Sequence, residues 1–221
     1  MGSLIVQYRY LEQRLPDLMA ALGITMQAAL IGALLAVLWG LILTIPRMSP
    51  NGLLRRPVLA YIAFLRYTPL LVQIYLLYFG LPLLGVRLSA LWCGVLAIML
   101  QHGAFLAEVF RGAILAVPTG QWAGGRSVGL LDYQVVTRIV LPQAFYKAMA
   151  PLGNQVIYLA KDTSLLAAIG VAELTLTAKM IAERSASTAG VFLVISIMYL
   201  FITTALGLAA RLLENRMKPK V

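Results

Sequence analysis

The chain is poor in the residues that make enzymes: among 221 positions it has one histidine, one cysteine and eight acidic side chains. Each shortage excludes something. A lone histidine, His102, cannot build a multi-histidine metal site. A lone cysteine, Cys93, can form neither an internal disulfide nor a cysteine cluster for metal, and its apolar surroundings make it a small packing residue. The scattered acids leave no clustered acid, base and nucleophile, so a membrane-embedded enzyme is a poor reading. No internal repeat, low-complexity tract or soluble domain is visible. The longest hydrophilic stretch, about 111–143, is too short to fold alone as an ATPase. Gly120-Gln-Trp-Ala-Gly-Gly125-Arg126-Ser127 approaches the phosphate-loop pattern but has Arg for Lys. Such a loop needs a buried strand before it, and here the end of an apolar helix precedes it. No cofactor is therefore expected on this chain. The N-terminus lacks the basic region and early apolar core of a signal peptide, so the first hydrophobic run is expected to stay in place.

What is abundant is apolar. Hydrophobic residues make up 61% and charged residues 12%, against roughly 45–50% and 25% in an average soluble domain. That surplus must face lipid. A span needs about 20 mostly apolar residues, and five runs qualify: roughly 20–45, 58–80, 88–110, 144–168 and 190–212. The cleanest runs from Ala20 to Ile45 without a charge, and the fourth carries Lys161 and Asp162.

The net charge of +10 does not point to nucleic acid, because the basic residues sit between spans. Arg47, Arg55 and Arg56 fall in 46–57 with no acid, and Arg111, Arg126 and Arg138 fall in 111–143 against Asp132. The tail carries Arg211, Arg216, Lys218 and Lys220 against Glu214. On the other side Arg9 and Arg14 are offset by Glu12 and Asp17, Arg87 stands alone in 81–89, and Lys179 and Arg184 are offset by Glu173 and Glu183. The positive-inside rule then places the N-terminus outside and the C-terminus inside. The layout reads as an N-terminal periplasmic or interfacial segment 1–19, a transmembrane domain 20–213 and a cytoplasmic tail 214–221.

The stretch between the third and fourth spans, 118–142, carries helix punctuation. Pro118 and Thr119 start a helix, Gly129 can end it in a left-handed conformation, Asp132 can cap a second short helix and Pro142 opens the fourth span. The product is a bracket of two short helices. Its small residues Ala123, Gly124 and Gly125 let another surface approach closely. On these grounds alone it is a docking bracket or a plain interfacial loop.

Gly129, nine residues, Ile139, one residue and Leu141-Pro142 resemble the cytoplasmic signature of ABC importer permeases. Phe64-Leu-Arg-Tyr-Thr-Pro-Leu-Leu-Val-Gln73, Tyr78-Phe-Gly-Leu-Pro82, Ala107-Glu-Val-Phe-Arg-Gly112, Leu141-Pro-Gln-Ala144, Pro151-Leu-Gly-Asn154 and Lys161-Asp-Thr-Ser-Leu165 are similar to the polar amino-acid uptake subfamily. The resemblance covers about 20–212. It implies an all-α, integral membrane type I importer fold of five spans and a multi-pass place in the bacterial cytoplasmic membrane. It also implies a second permease subunit (identical or similar), a cytoplasmic ATPase dimer carrying ATP and Mg, and a periplasmic or lipid-anchored binding protein. In the family 118–142 holds the coupling helix, so Gln121, Trp122, Ala123, Gly124, Gly125, Arg126 and Gly129 become the expected ATPase contact. The family usually opens this signature Glu-Ala-Ala; here it is Ala123-Gly124-Gly125. A carboxylate is missing, and each glycine lowers helix propensity by roughly 1 kcal/mol relative to Ala. The helix is then looser, or leans on Trp122 and Arg126.

Ionisable residues in spans face a cavity or a partner. Glu108 and Arg111, three apart, share a helix face and can pair. Arg66 stands just before Tyr67-Thr68-Pro69, where Pro69 frees the carbonyl four residues earlier and can kink the second span. His102, beside Gln101, reads as a buried hydrogen-bonding residue or part of a polar cavity. Counted from Pro142, Asp162 lies about 30 Å along its helix, between mid-membrane and the outer half. Lys161 and Asp162 can pair with each other, link to neighbouring helices, or line a solute path. The resemblance implies a central pocket from these two segments, with Tyr67, Thr68, Asp162, Ser164 and Leu165 on the path. Asp162 would meet an ammonium, and Thr68 and Ser164 a carboxylate. The expected function is therefore a permease subunit moving a polar amino acid or relative, such as an opine, by alternating access. The rivals are an ion-gradient carrier, which predicts inverted repeats and broken helices, and a purely structural scaffold.

Overall fold

The computed structural model describes residues 2–184 and 188–217. Among these the chain is helical without strands: α1 (Gly2–Met48), α2 (Gly52–Tyr67), α3 (Leu70–Gly80), α4 (Ala90–Leu115), α5 (Thr119–Ser127), α6 (Asp132–Val135), α7 (Leu141–Asp162), α8 (Leu174–Arg184) and α9 (Thr188–Met217). Three stretches, Glu12–Met48, Ala90–Leu115 and Thr188–Met217, are long and apolar enough to cross a membrane alone. Two bent pairs complete the expected five spans: Gly52–Tyr67 with Leu70–Leu84, at 106°, and Asp132–Ile169 with Leu174–Arg184, at 53°. α1 passes the expected segment boundary at residues 19–20 without a break. Lys218 and Lys220 of the basic tail lie outside the described residues.

Hydrophobicity cannot drive helices together inside lipid, so close backbone approach must. α1 supplies it with a small residue at nearly every fourth position: Ala28, Gly32, Ala36, Gly40 and Thr44. A Cβ on Gly40 would stand 2.8 Å from Leu106 Cβ of α4, and one on Gly103 of α4 would stand 2.7 Å from Trp39 Cδ1. Each helix thus receives a large side chain where the other has none. Thr44 spends its hydroxyl on the Gly40 carbonyl at 2.7 Å, which lets a polar residue be buried there. Trp39 Nε1 donates to Tyr61 Oη at 3.0 Å and ties α2 to the same seam.

The second span is broken rather than kinked. Pro69 has no N–H to continue the ladder, and the residue before a proline is pushed out of the helical region. Thr68 accordingly takes φ −102°, ψ 143°. The helix that carries the fourth span begins earlier than expected, at Asp132 in the bracket. Pro142 cannot donate to the Arg138 carbonyl, and the wider π turn Val136–Val140 absorbs the misfit, with the Leu141 N–H reaching back to Val136 O. α6, this turn and α7 therefore run as one rod from the bracket to Asp162.

The stretch 170–189, expected as an outside loop, holds α8, and Ser185–Ser187 lie outside the described residues. Glu173 is fully buried rather than solvated. Its carboxylate accepts from the Leu176 N–H at 2.8 Å and from Tyr199 Oη at 2.9 Å, which satisfies the first turn of α8 and pins it to α9. Leu174 N–H donates to Thr25 Oγ1 of α1 at 3.1 Å.

Candidate functional site

Halfway along α4 the apolar core gives way to a polar layer. Gln101 and His102 sit about 18 Å from either end of that helix at 1.5 Å per residue, and both are buried. His102 Nε2 lies 3.1 Å from Asp162 Oδ2, and His102 Nδ1 lies 2.7 Å from Gln155 Nε2 of α7. The Gln155 amide donates to Nδ1, so Nε2 carries the proton toward Asp162. This places Asp162 at the mid-depth of α4. Its side chain keeps 40% of its surface exposed, so the carboxylate is held by one oxygen and open at the other. The direct Lys161–Asp162 pair does not form. Lys161 Nζ instead lies over the Tyr158 ring, 5.4 Å from its centroid, because adjacent residues diverge around a helix.

Gln101, one residue away, points to the broken span: its Nε2 donates to Thr68 O at 3.2 Å. Gln73 Nε2 donates to Leu65 O at 2.9 Å, Thr68 O at 3.3 Å and Thr68 Oγ1 at 2.8 Å. Leu65 O is the carbonyl that Pro69 leaves without its helical donor. Gln73 replaces the missing bond, which a membrane interior demands. Flipping either carboxamide would set its oxygen against these carbonyls. The oxygens Gln73 Oε1 and Gln101 Oε1 are consequently left buried without a partner. The Thr68 hydroxyl is spent on Phe64 O at 2.8 Å, so here it is not free for a solute carboxylate. Tyr67 is exposed beside it, Ser164 is half-buried two residues beyond Asp162, and Leu165 packs against the core. Arg66 lies over the Phe105 ring, 5.1 Å from its centroid.

The second candidate feature is the bracket. α5 ends as expected on Gly129, at φ +81°. The Leu130 N–H reaches Gly125 O at 3.2 Å and the Gly129 N–H reaches Arg126 O at 3.0 Å, a Schellman closure. Contrary to the expectation from sequence, Asp132 does not cap the next helix but is its first residue. Leu131 holds the cap position, its N–H satisfied by Gln134 Oε1 at 3.0 Å. The Asp132 carboxylate goes instead to Arg126 Nε at 2.8 Å, clamping the two arms. Gly125 is buried, and a Cβ there would meet Ile139 Cδ1 at 2.8 Å and Val135 Cγ2 at 3.0 Å. Trp122 also turns inward onto the core. Of the expected contact residues Gln121, Ala123, Gly124, Arg126 and Gly129 are exposed, and the exposed Val128 (75%), Leu131 (61%) and Tyr133 (63%) stand with them. Gln143 Nε2 reaches Gln121 Oε1 at 3.4 Å.

Above the bracket, Glu108 accepts from Arg111 Nε at 2.8 Å, the expected pair, and from Arg47 Nε at 2.6 Å. Among the described residues no cluster of His, Cys, Asp or Glu can hold a metal ion.

The profile of the binding-protein-dependent transport system inner membrane component matches residues 32–219. The chain belongs to that family. The permease is 33% identical over 201 residues to a probable amino-acid ABC transporter permease protein of Bacillus subtilis (strain 168), covering 91% of this chain and 89% of that one. It is 32% identical to the glutamine transport system permease protein of Escherichia coli (strain K12), over 92% and 94% of the two chains. It is 34% identical to the nopaline transport system permease protein of Agrobacterium fabrum, over 92% and 89%. A solved amino acid ABC transporter, crystallised with histidines, superposes with a TM-score of 0.88 at 29% identity, over 93% of this chain and 96% of that one. The MetNI methionine ABC transporter in an inward-facing conformation shares the fold at 17% identity, with a TM-score of 0.71 over 92% and 95%.

The permease is thus the membrane subunit of an ABC importer, working with an ATPase and a binding protein, and ATP hydrolysis belongs to the ATPase. The broken second span would also suit an ion-gradient carrier, but that reading finds no support among the relatives. Sequence reasoning missed Gln73, Gln155 and Arg47. Gln73 had a signal: a polar residue inside Leu70-Leu-Val-Gln-Ile, four places after the proline that orphans a carbonyl.

Gly124, unlike Gly125, has nothing within 4 Å of a Cβ position. Gly124→Ala is expected to stabilise α5 by about 1 kcal/mol. Backbone amides of α5 should then exchange roughly fivefold more slowly, as hydrogen-exchange mass spectrometry reads directly. Unchanged exchange would mean that α5 is stabilised elsewhere.

Proposed function

We infer that the permease carries a polar amino acid or a relative through the polar layer, by alternating access. The supporting observation is the polar layer at mid-depth of α4, where His102 holds Asp162 and Gln155 and the adjacent Gln101 holds the broken corner at Thr68. A zwitterion needs an anionic group for its ammonium and donors for its carboxylate at a separate point. Asp162 supplies the first, and Ser164 on the following 3₁₀ turn supplies a hydroxyl for the second. Leu165 and Tyr67 flank the path.

The remainder of the reading follows the family. A second permease, identical or similar, pairs with this one, and two ATPases holding ATP and Mg dock on the outer faces of the two brackets. A periplasmic or lipid-anchored binding protein delivers solute from outside. The N-terminus lies outside and the C-terminus inside a bacterial cytoplasmic membrane. Closure of the ATPases pushes the rod from α6 through α7, which ends at Asp162, and so moves the polar layer.

Asp162→Asn keeps a hydrogen-bond acceptor for His102 and removes the charge. A charge-assisted hydrogen bond is worth about 1.5–3 kcal/mol, so uptake at subsaturating solute should fall roughly ten- to a hundredfold. Ser164→Ala should cause a smaller loss. Uptake kinetics unchanged in both variants, with the complex assembled normally, would sink the pocket.

A further inference from the structure

Beyond Asp162 the chain leaves α7 through a 3₁₀ turn, Thr163–Ile169, that Gly170 closes at φ +81°. Against this turn lies a buried polar knot centred on Glu173. The residue is fully buried, and among the described residues its partners are all neutral. Burying a carboxylate without a counter-charge is costly, so the choice of Glu here needs a reason. Capping α8 accounts for one oxygen: Oε1 accepts from the Leu176 N–H at 2.8 Å. A shorter Ser, Asp or Asn commonly serves that purpose. The second oxygen is aimed elsewhere. Oε2 accepts from Tyr199 Oη of α9 at 2.9 Å. The same phenol bonds Thr175 Oγ1 at 3.1 Å and lies beside the Thr163 side chain.

Thr163 carries the knot to the polar layer. It is fully buried, and its own hydroxyl donates to Ala160 O at 2.8 Å, which ties it to the last turn of α7. It directly follows Asp162, so the two Cα atoms stand about 3.8 Å apart. The Asp162 carboxylate has a single side-chain bond, from His102 to Oδ2, and one bond lets a carboxylate pivot. The backbone beneath it must do the rest. On one side that backbone is α7 itself. On the other it is the 3₁₀ turn, which the knot joins to α8 and α9, and to α1 through the bond from Leu174 N–H to Thr25 Oγ1.

We propose that Glu173 and Tyr199 are positioning residues for transport: their bond fixes the 3₁₀ turn at Thr163 and so holds Asp162 where its free oxygen faces the solute path. Neither residue touches the solute. The proposal rests on the reading of Asp162 as a solute contact.

The chain has one histidine, so isotope-labelled histidine in the full chain, set in lipid nanodiscs, gives nitrogen NMR signals from His102 alone. Asp162→Asn should move the Nε2 signal by removing the charge it faces. Tyr199→Phe should move it in the same direction, and Glu173→Leu, which loses both bonds, should move it further. Ile195→Ala lies one turn before Tyr199 in the α8–α9 packing and keeps the phenol. It should lower the melting temperature and leave the His102 signals native. A native Nε2 signal in both Tyr199→Phe and Glu173→Leu overturns the proposal. So does an Ile195→Ala shift as large as that of Tyr199→Phe, which would make the effect ordinary packing. If Asp162→Asn also left the signal unmoved, the His102–Asp162 bond would go, and the solute pocket with it.

Discussion

Gly125→Leu is expected to release the ATPase from the permease and to cut ATP-driven uptake by more than tenfold, while the chain still inserts in the membrane at native levels. A Cβ at this position already stands 2.8 Å from Ile139 Cδ1 and 3.0 Å from Val135 Cγ2. Gly125→Ala is milder, because Ile139 Cδ1 is the flexible tip of its side chain and can turn aside. Leucine adds three further carbons to a filled space, and overpacking of this kind costs about 1–3 kcal/mol. α5 must then lift away from the π turn, carrying its outward face out of register with the ATPase. Nothing in the α1–α4 seam touches this point, so the membrane bundle stays intact. Co-purification of the ATPase, measured beside uptake, separates loss of docking from loss of the fold. Native uptake in the leucine variant would mean that α5 does not transmit the motion.

Gln73→Leu is expected to have the second large effect. The carboxamide makes three bonds across the break at Thr68-Pro69, one of them to the carbonyl orphaned by Pro69. Leucine has a similar bulk and suits an apolar helix, so hydrophobicity alone predicts a neutral change. The hydrogen-bond account predicts the reverse. A buried acceptor left without a donor costs about 1–3 kcal/mol, and here Leu65 O loses the donor that replaces its helical one. The corner should loosen, with uptake falling at least tenfold and the detergent-solubilised chain melting several degrees lower. Gln101→Leu should do less, since it removes a single bond, to Thr68 O. A Gln73→Leu protein with native melting and uptake would remove the corner from the mechanism.

Much of this architecture was legible in the chain. The five spans, the Glu108–Arg111 pair and the left-handed stop at Gly129 follow from hydropathy, helical spacing and glycine's backbone freedom. The rest depends on which distant residues meet. Pro69 announces a missing hydrogen bond but does not set a 106° bend; Gln73 and Gln101 hold that angle. Glu173 resembles an ordinary loop charge until Tyr199, 26 residues later, is brought against it. Trp122 sits in the bracket as a large aromatic, and only the fold shows its ring against the core. Arg126 is exposed as expected, but its pairing with Asp132 depends on the turn at Gly129. The exposed apolar residues Val128, Leu131 and Tyr133 carry no signature in linear sequence. His102 and Asp162 are 60 positions apart, so their link could not be read from spacing.

The central claim is that this subunit moves solute only when a separate ATPase pushes on the bracket. It is tested by co-reconstituting the permease with its ATPase and binding protein in proteoliposomes and measuring uptake of radiolabelled amino acid. The lumen would hold ATP or a non-hydrolysable analogue, with and without an imposed ion gradient. Uptake that requires hydrolysable ATP, is indifferent to the gradient and disappears with Gly125→Leu is the predicted result. Uptake that persists without ATP hydrolysis and collapses with the gradient would contradict it.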